Sequence, residues 1–357
     1  MPAQSSPQPS RRQWWILGAV LLLTLMLVVV MATRAVVTRP GEPTAEPETP
    51  STTEPRVFPT APEPPFSVVD REPLTLPQSF RYAQGTFHLD AGSTYLVSFD
   101  LTTVKPEDAP GVGMYLGVSF SCTALGEDGE DDRGVGSIGG TENLLPGEPT
   151  SYVNHLVLTP QAGGLHSCSV LVNAPYDDVA AKGTTVELDV TWHVTELDGS
   201  AFQADVEQQL PMAIVPNAPA TVVQQTIPAG ELDAATLEVL LSLHVTTCTG
   251  INGSTENDRT WCTPEDVDET GSDFDLTLRV DVLDVDGTVC DTLASSAQRV
   301  DLDKWRHHQL IPVSLPVEKP TELCGEQARV AAVVANRGPA SLVVHQANTS
   351  LITVERD

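Results

Sequence analysis

Long runs of alternating apolar and polar residues dominate the chain from about residue 94 to its C-terminal end. Successive side chains of a strand point to opposite faces of a sheet, so this alternation predicts strands with one face in a core. The runs are rich in valine, threonine and tyrosine and are separated by glycine, proline or aspartate, as is typical of strands and turns. They lie at 94–104, 114–125, 152–160, 168–175, 185–194, 237–248, 274–287, 308–315, 328–338 and 341–356. We therefore predict an all-β fold.

The predicted strands form two groups that resemble each other in sequence. LVSFDLTTV at 96–104 matches LLSLHVTTC at 240–248, an offset of 240 − 96 = 144 residues. A repeat of this length indicates tandem domains and not a solenoid. We predict two β-sandwich domains of the immunoglobulin-like kind, at 66–198 and 221–357, with an inter-domain linker at 199–220.

Six cysteines lie within the two predicted domains. Cys122 and Cys168 are the only cysteines of the first domain, so we expect them to form a disulfide bond. Thiolate coordination of a metal is disfavoured because the sequence has no C-x-x-C pair.

The four cysteines of the second domain permit more than one pairing. If Cys290 and Cys324 are the counterparts of the first-domain pair, Cys248 and Cys262 would close the segment 249–261, which the first domain lacks. In this alignment, the difference in residue number between matching positions of the two domains changes least along the chain. We therefore prefer the pairing that it implies. An alternative alignment pairs Cys248 with Cys324 and Cys262 with Cys290.

An uninterrupted apolar segment near the N-terminus predicts a transmembrane helix. Residues 14–33 contain no charged side chain, and twenty helical residues rise about 30 Å, the thickness of the hydrocarbon core of a bilayer. The tail at 1–13 is short and all cysteines follow the helix, which favours a cytoplasmic N-terminus and an extracytoplasmic bulk. A cleaved signal peptide is the alternative, although its apolar region is usually shorter. We therefore expect an uncleaved signal anchor in the cell membrane.

The segment at 34–65 is predicted to be a stalk rich in proline, glutamate and threonine. Nine prolines occur between residues 40 and 65, and such a sequence favours extended polyproline II structure over a packed core. The stalk would hold the domains away from the lipid surface.

The net charge of −29 excludes nucleic acid as a favoured partner. We expect the protein to contact the membrane through its single helix and to bind another envelope or membrane protein.

The acidic run at 126–134 is a candidate calcium site. Carboxylate oxygens are the ligands that Ca²⁺ prefers. The spacing of the acidic residues in this run does not match that of a calcium loop with alternating ligands, so a solvated acidic loop is the alternative. No other cofactor is predicted. The candidate ligands are Glu127, Asp128, Glu130, Asp131 and Asp132.

We name residues 249–261 the pinned loop, because the preferred pairing closes it with a disulfide bond. As an addition to a shared scaffold, it is the preferred binding loop, with candidate contact residues Asn252, Asn257, Arg259 and Trp261.

Two further motifs are interpreted as structural. DVDG at 284–287 lies between apolar runs and predicts a hairpin turn. His307 and His308 are adjacent on a predicted strand, so they point to opposite faces and are expected at the surface.

The sequence carries no G-x-S-x-G or H-E-x-x-H motif, and its cysteines are expected to be paired, so we expect no enzymatic activity. Anchor, stalk and tandem domains indicate a membrane-anchored cell-envelope protein that presents an extracytoplasmic binding or assembly module. Two alternatives are an accessory subunit of a membrane protein complex and a polysaccharide-binding or polysaccharide-acting protein.

Overall fold

Strands account for almost all regular structure in the computed structural model. The structure describes residues 66–75, 79–108, 114–124, 133–136, 142–161, 163–173, 185–232, 236–250, 252–254, 259–320 and 322–356. All of these belong to one compact unit, Phe58–Asp357. The segments predicted as cytoplasmic tail, transmembrane helix and stalk lie outside the described residues. Within the described residues, no helix has the length and apolar character needed to span a bilayer.

The first sandwich consists of strands β1 to β9. One sheet has the order β1-β9-β3-β7, and the facing sheet has the order β2-β8-β4-β5, with β6 also paired to β4. All of the pairings are antiparallel. The strands are β1 (Phe66–Thr75), β2 (Ser79–Leu89), β3 (Thr94–Val104), β4 (Met114–Ala124), β5 (Arg133–Gly136), β6 (Glu142–Leu144), β7 (Pro149–Leu158), β8 (Gly164–Asn173) and β9 (Thr185–Leu197).

The second sandwich consists of strands β10 to β21. One sheet has the order β10-β21-β13-β20-β11, with β18 also paired to β13, and the facing sheet has the order β12-β19-β16-β17. Strands β14 and β15 form a separate hairpin. The elements are β10 (Ala201–Gln203), β11 (Met212–Ile214), β12 (Pro219–Pro228), a 3₁₀ turn (Ala229–Glu231), β13 (Thr236–Thr247), β14 (Asn252–Ser254), β15 (Arg259–Cys262), β16 (Ser272–Leu283), β17 (Val289–Leu302), β18 (His308–Glu318), β19 (Gln327–Asn336), β20 (Leu342–Val344) and β21 (Ser350–Arg356).

The two sandwiches share one topology. The sheet order β1-β9-β3-β7 corresponds to β10-β21-β13-β18, and β2-β8-β4-β5 corresponds to β12-β19-β16-β17. Most consecutive strands in these orders therefore lie in facing sheets, except where β5 follows β4 and β17 follows β16 within one sheet, and this is the eight-stranded jelly-roll arrangement. The predicted all-β class is confirmed, whereas the immunoglobulin-like topology is corrected. Alternation identifies strands and their buried faces, but jelly rolls and immunoglobulin domains share that pattern and differ only in their connections.

The segment predicted as an inter-domain linker, 199–220, contributes strands to the second sandwich. Residues Ala201–Gln203 pair with β21, and Met212–Ile214 pair with β20. The first residues of β12 also belong to this segment and pair with β19. Strands β10 and β11 have three residues each, so this part of the segment lacks the long alternation by which the predicted strands were recognised.

Aromatic side chains fill the core of the first sandwich. The ring centroid of Phe99 lies 4.7 Å from that of Phe120, 5.5 Å from that of Tyr152 and 6.0 Å from that of Trp192. All four side chains are buried. Valine and leucine dominate the core of the second sandwich, where Phe274 is the one buried aromatic residue among those described.

All six cysteines form disulfide bonds, in the pairing preferred from the sequence. Cys122 and Cys168 lie directly opposite each other on β4 and β8. Cys248 pairs with Cys262, and Cys290 pairs with Cys324. The bonds favour an extracytoplasmic location, because reducing compartments keep thiols free.

The predicted hairpin turn connects β16 to β17. The carboxylate of Asp284 accepts hydrogen bonds from the backbone N–H groups of Asp286 (3.0 Å) and Thr288 (2.9 Å). Gly287 has a φ of 76°, in the left-handed region that glycine adopts without a steric penalty.

One leucine of the second sandwich belongs to the core of the first. Leu310 on β18 is 2% exposed and packs in the cluster that contains Phe99 and Trp192. A smaller apolar cluster also joins the sandwiches, with Leu96 and Leu197 from the first and Leu240, Ile352 and Val354 from the second. The second sandwich thus completes the core of the first.

Leu310→Ala should lower the free energy of unfolding by about 2–5 kcal/mol, because truncation leaves a cavity in a core that both sandwiches build. Urea denaturation of the full-length protein measures this change. Val285→Ala serves as the control, since Val285 is 80% exposed and its truncation should change stability by less than about 0.5 kcal/mol. Equal effects of the two substitutions would contradict the shared core.

Candidate functional site at the interface of the two sandwiches

Strand β13 is buried on both faces. One face supplies Leu237, Val239, Leu241, Leu243 and Val245 to the core of the second sandwich. The opposite face carries Ser242, His244 and Thr246, which are 0%, 3% and 2% exposed. Polar side chains on an outward face normally contact water, so their burial identifies a covered interface.

The first sandwich covers this polar face with its edge strand β7. Ser242 Oγ donates a hydrogen bond to the carbonyl oxygen of Val153 (2.9 Å). Asn154 Nδ2 donates to the carbonyl oxygen of Asn348 (3.0 Å), and Ser350 Oγ donates to Asn154 Oδ1 (2.9 Å). An edge strand leaves backbone groups unpaired, and these polar side chains supply the partners that water would otherwise provide.

Three histidines converge on this face, and we call His244, His308 and His345 the histidine cluster. One ring nitrogen from each lies within 4.8 Å of the other two. His308 is directly opposite Thr246 in the β13–β18 register. His345 follows β20, and its N–H donates to the carbonyl oxygen of His244 (2.9 Å). Antiparallel pairing therefore places residues from three distant parts of the sequence on one face.

The hydroxyl of Thr246 lies between two of the rings. Its Oγ1 is 2.6 Å from His308 Nδ1 and 2.7 Å from His345 Nε2. The third ring is held by the backbone, because His244 Nδ1 lies 3.0 Å from the carbonyl oxygen of Ala347. This contact assigns the proton to Nδ1 and leaves a lone pair on Nε2.

Hydrogen bonds hold the histidine cluster against the first sandwich. The N–H of His308 donates to Asn143 Oδ1 on β6 (2.6 Å). The N–H of His244 donates to Thr349 Oγ1 (3.1 Å), and that hydroxyl donates to the carbonyl oxygen of His345 (2.6 Å). The cluster is therefore fixed by contacts within and between the sandwiches.

Burial keeps the cluster neutral. Desolvation lowers the pKa of His345 to about 4. Desolvation also lowers the pKa values of His244 and His308 well below the usual range, and the neighbouring histidines lower them further. Neutral imidazoles offer lone pairs to a metal ion or to a hydrogen-bond donor. Nucleophilic catalysis by Thr246 is disfavoured, because a hydroxyl that is 2% exposed is not accessible to a substrate.

The expected surface position is wrong for His308. Its ring is 7% exposed, because the first sandwich covers the face to which it points. The adjacent His307 has its ring centroid 4.4 Å from that of His308, yet it contributes no nitrogen to the cluster. The prediction of opposite faces is also wrong, because β18 begins at His308 and the two rings lie side by side.

Sequence reasoning missed His244, Thr246 and His345 as a site. The polar residues at every second position in LSLHVTT mark the outward face of a strand, but nothing in the sequence shows that this face is covered. Within the repeat, the counterpart of His244 is Asp100, so the two copies differ at this position.

The residues predicted for the pinned loop are described only in part. Asn252 belongs to β14, and Arg259 and Trp261 belong to β15, whereas Asn257 lies outside the described residues. Cys248 and Cys262 close the base of the loop and pack with Val343. The five candidate calcium ligands at 127–132 lie outside the described residues.

A fourth histidine at the interface, His155, is partly buried and gives a direct test of how burial affects stability. His155 Nδ1 lies 2.8 Å from Ser98 Oγ, and desolvation lowers its pKa to about 4 even though the charge of Glu238 raises it. Between pH 6.5 and 4 the unfolded state therefore binds a proton that the folded state does not. His155 thus reduces the free energy of unfolding as the pH falls through this window, by about 3 kcal/mol at pH 4.

We expect His155→Gln to remove this contribution. Urea denaturation between pH 4 and 7 should give a shallower pH dependence for the variant than for the wild type, with the two curves parallel above pH 6.5. Parallel curves over the whole range would contradict the burial of a neutral His155.

No family model matches the chain, and no curated protein matches it. Among solved structures, it is similar to the N-terminal CBM22-1-CBM22-2 tandem domain from Paenibacillus barcinonensis Xyn10C, at 10% identity over 76% of this chain and 83% of that one, with a TM-score of 0.25. It is also similar to the T13 IBDV viral particle, at 11% identity over 85% of this chain and 73% of that one (TM-score 0.26). A third similar structure is a secreted protein from Parabacteroides distasonis, at 10% identity over 82% of this chain and 90% of that one (TM-score 0.21). At these identities and TM-scores, the similarities assign neither a family nor a function.

Proposed function

We propose that this protein is a non-enzymatic, membrane-anchored protein of the cell envelope that presents two joined jelly-roll sandwiches to a protein partner outside the cytoplasm. The observation that carries the proposal is the pairing of all six cysteines in a β-rich unit. Such bonds persist in oxidising compartments, on the far side of the membrane from the cytosol. The helix at 14–33 and the stalk at 34–65 would attach this unit to the membrane.

The pinned loop is the proposed contact surface. It follows β13, and the Cys248–Cys262 disulfide at its base is buried against Val343. The N–H of Cys248 donates to the carbonyl oxygen of Ser341 (2.9 Å), and the carbonyl oxygen of Cys248 accepts a hydrogen bond from Asp268 N (3.0 Å). A loop with a fixed base loses less conformational entropy when it binds.

Asp266 strengthens this base from the other side. Its carboxylate accepts hydrogen bonds from the hydroxyl groups of Thr263 (2.6 Å) and Ser341 (2.8 Å). These bonds to the ionised form, chiefly that from Thr263, lower the pKa of Asp266 although partial burial opposes them. The carboxylate therefore stays charged and holds the segment after Cys262 to the segment before β20.

The joined sandwiches would act as a rigid support for this loop. Leu310 enters the core of the first sandwich, and the polar face of β13 is bonded to β7. A contact made by the loop is then held at a fixed position relative to the first sandwich. Rigid presentation suits assembly or docking, in which the partner surface must be met in one orientation.

The proposed topology predicts opposite labelling of two introduced cysteines. Val285 is 80% exposed in the turn after β16, so Val285→Cys should react with a membrane-impermeant maleimide in intact cells. Ser5→Cys, in the proposed cytoplasmic tail, should react only after the cells are permeabilised. The reverse pattern would overturn the proposed orientation, and labelling of both in intact cells would exclude a cytoplasmic N-terminus.

Replacing residues 249–261 with a short Gly-Ser segment, with both flanking cysteines retained, should abolish partner binding and leave the fold intact. The measurement is cross-linking in living cells from a photoreactive residue at position 252, followed by co-purification of that partner with wild type and variant. The control variant exchanges the turn residues 285–287 for Gly-Ser, because this exposed turn belongs to the same sandwich.

Partner recovery that is unchanged in the loop variant would refute the loop as the contact surface. Recovery that is lost equally in both variants would do the same. Binding of the purified protein to wall polysaccharide, without a protein cross-link, would replace the proposed partner with a glycan.

A further inference from the structure

We propose that the histidine cluster is a binding site for one divalent transition-metal ion of the zinc class, which stabilises the interface between the two sandwiches. The inference is independent of the partner proposed above. It rests on the convergence of three ring nitrogens in a buried, polar region that both sandwiches build.

The ligand chemistry selects the class of ion. Three imidazole nitrogens suit Zn²⁺, Co²⁺, Ni²⁺ and Cu²⁺, whereas Ca²⁺ and Mg²⁺ require oxygen ligands. Zinc–nitrogen bonds of about 2.0–2.1 Å in a tetrahedron place neighbouring nitrogens about 3.3 Å apart. The nitrogens of the cluster lie within 4.8 Å of one another, so each pair would have to approach by about 1.5 Å at most to reach that spacing.

A second observation points to a ligand at this position. His244 Nε2 is buried and has no hydrogen-bond partner among the described residues. An unsatisfied buried polar atom costs about 1–3 kcal/mol, so its retention calls for an explanation. A metal bond to this lone pair would supply one.

The surroundings of the rings match those of protein metal sites. The carbonyl oxygen of Ala347 lies 3.0 Å from His244 Nδ1, which is the usual outer contact of a metal-binding histidine. Thr246 Oγ1 bridges His308 Nδ1 and His345 Nε2, so both nitrogens point toward one small region. Because a hydroxyl has one proton, one of these nitrogens donates to it, and an ion bound there would displace the hydroxyl and shift that ring's proton to its other nitrogen.

The metal would act on the interface because two of its ligands, His308 and His244, are tied to the first sandwich. The backbone of His308 is bonded to Asn143 of the first sandwich. Ala347 precedes Asn348, whose carbonyl oxygen accepts the hydrogen bond from Asn154 of the first sandwich. Fixing the rings therefore restrains both points of contact, and a ligand that binds only the folded state raises its stability.

The test uses the untagged full-length protein in detergent, stripped of metal with a chelator and then titrated with Zn²⁺ by calorimetry. We expect one zinc ion per chain and a rise in Tm. Co²⁺ in place of Zn²⁺ should give the visible absorption of a nitrogen-ligated ion. His345→Gln should weaken zinc affinity at least tenfold, since His345 is the least buried of the three ligands.

His155→Gln is the matched control, because His155 is also an interface histidine with a hydrogen-bonded ring nitrogen but is not part of the cluster. Its zinc affinity should equal that of the wild type. If His345→Gln fails to fold, His345→Cys provides a second readout, since direct ligation adds a sulfur-to-cobalt charge-transfer band.

Four outcomes would overturn the proposal, and the first three concern zinc affinity. They are no zinc binding at 100 µM free ion, unchanged affinity in His345→Gln, and equal loss of affinity in His155→Gln. Absence of the charge-transfer band in cobalt-loaded His345→Cys would also overturn it.

Discussion

The closure of the first sandwich by the second is the constraint on which the rest of the structure depends. Edge strand β7 has backbone groups that no neighbouring strand satisfies, and β13, β18 and β21 cover it with polar side chains and one leucine. Apolar contact alone would leave those backbone groups without partners, at a cost comparable to that of a lost hydrogen bond. The interface must therefore be both polar and dry, and this combination explains why histidines, serines and threonines are buried there.

The same constraint explains how two copies of one topology come to differ. Both sandwiches have the jelly-roll strand order, yet the outward face of β13 is buried under β7, whereas the corresponding strand β3 leaves Thr102 and Val104 exposed. Burial removes water from the histidines, which keeps them neutral and their lone pairs available. Packing between the sandwiches, and not the fold of either one, creates the chemistry of the site.

Features that depend on neighbouring residues were mostly predicted from the sequence, whereas most features that depend on contacts between distant residues were not. Alternation is local, so it predicted ten strand runs and the turn at Asp284, whereas the long strands β1, β2, β12 and β17 were missed. The repeat paired Cys290 with Cys324 correctly. Jelly-roll connectivity was missed because alternation does not encode which sheet a strand joins. The histidine cluster was missed because 244, 308 and 345 are far apart in the chain, and the covering of their face depends on how two domains dock.

The entry of Leu310 into the neighbouring core has a consequence for how the protein can be divided. A fragment that ended at Leu197 would lack the side chain that fills its interior and the groups that complete its edge strand. It would expose the apolar core surface that Leu310 covers and the unpaired backbone groups of edge strand β7. Exposed apolar surface beside an unpaired edge strand promotes association between molecules. The two sandwiches are thus no longer interchangeable. Recombination at their boundary would yield an incomplete, aggregation-prone sandwich instead of an independently folded domain.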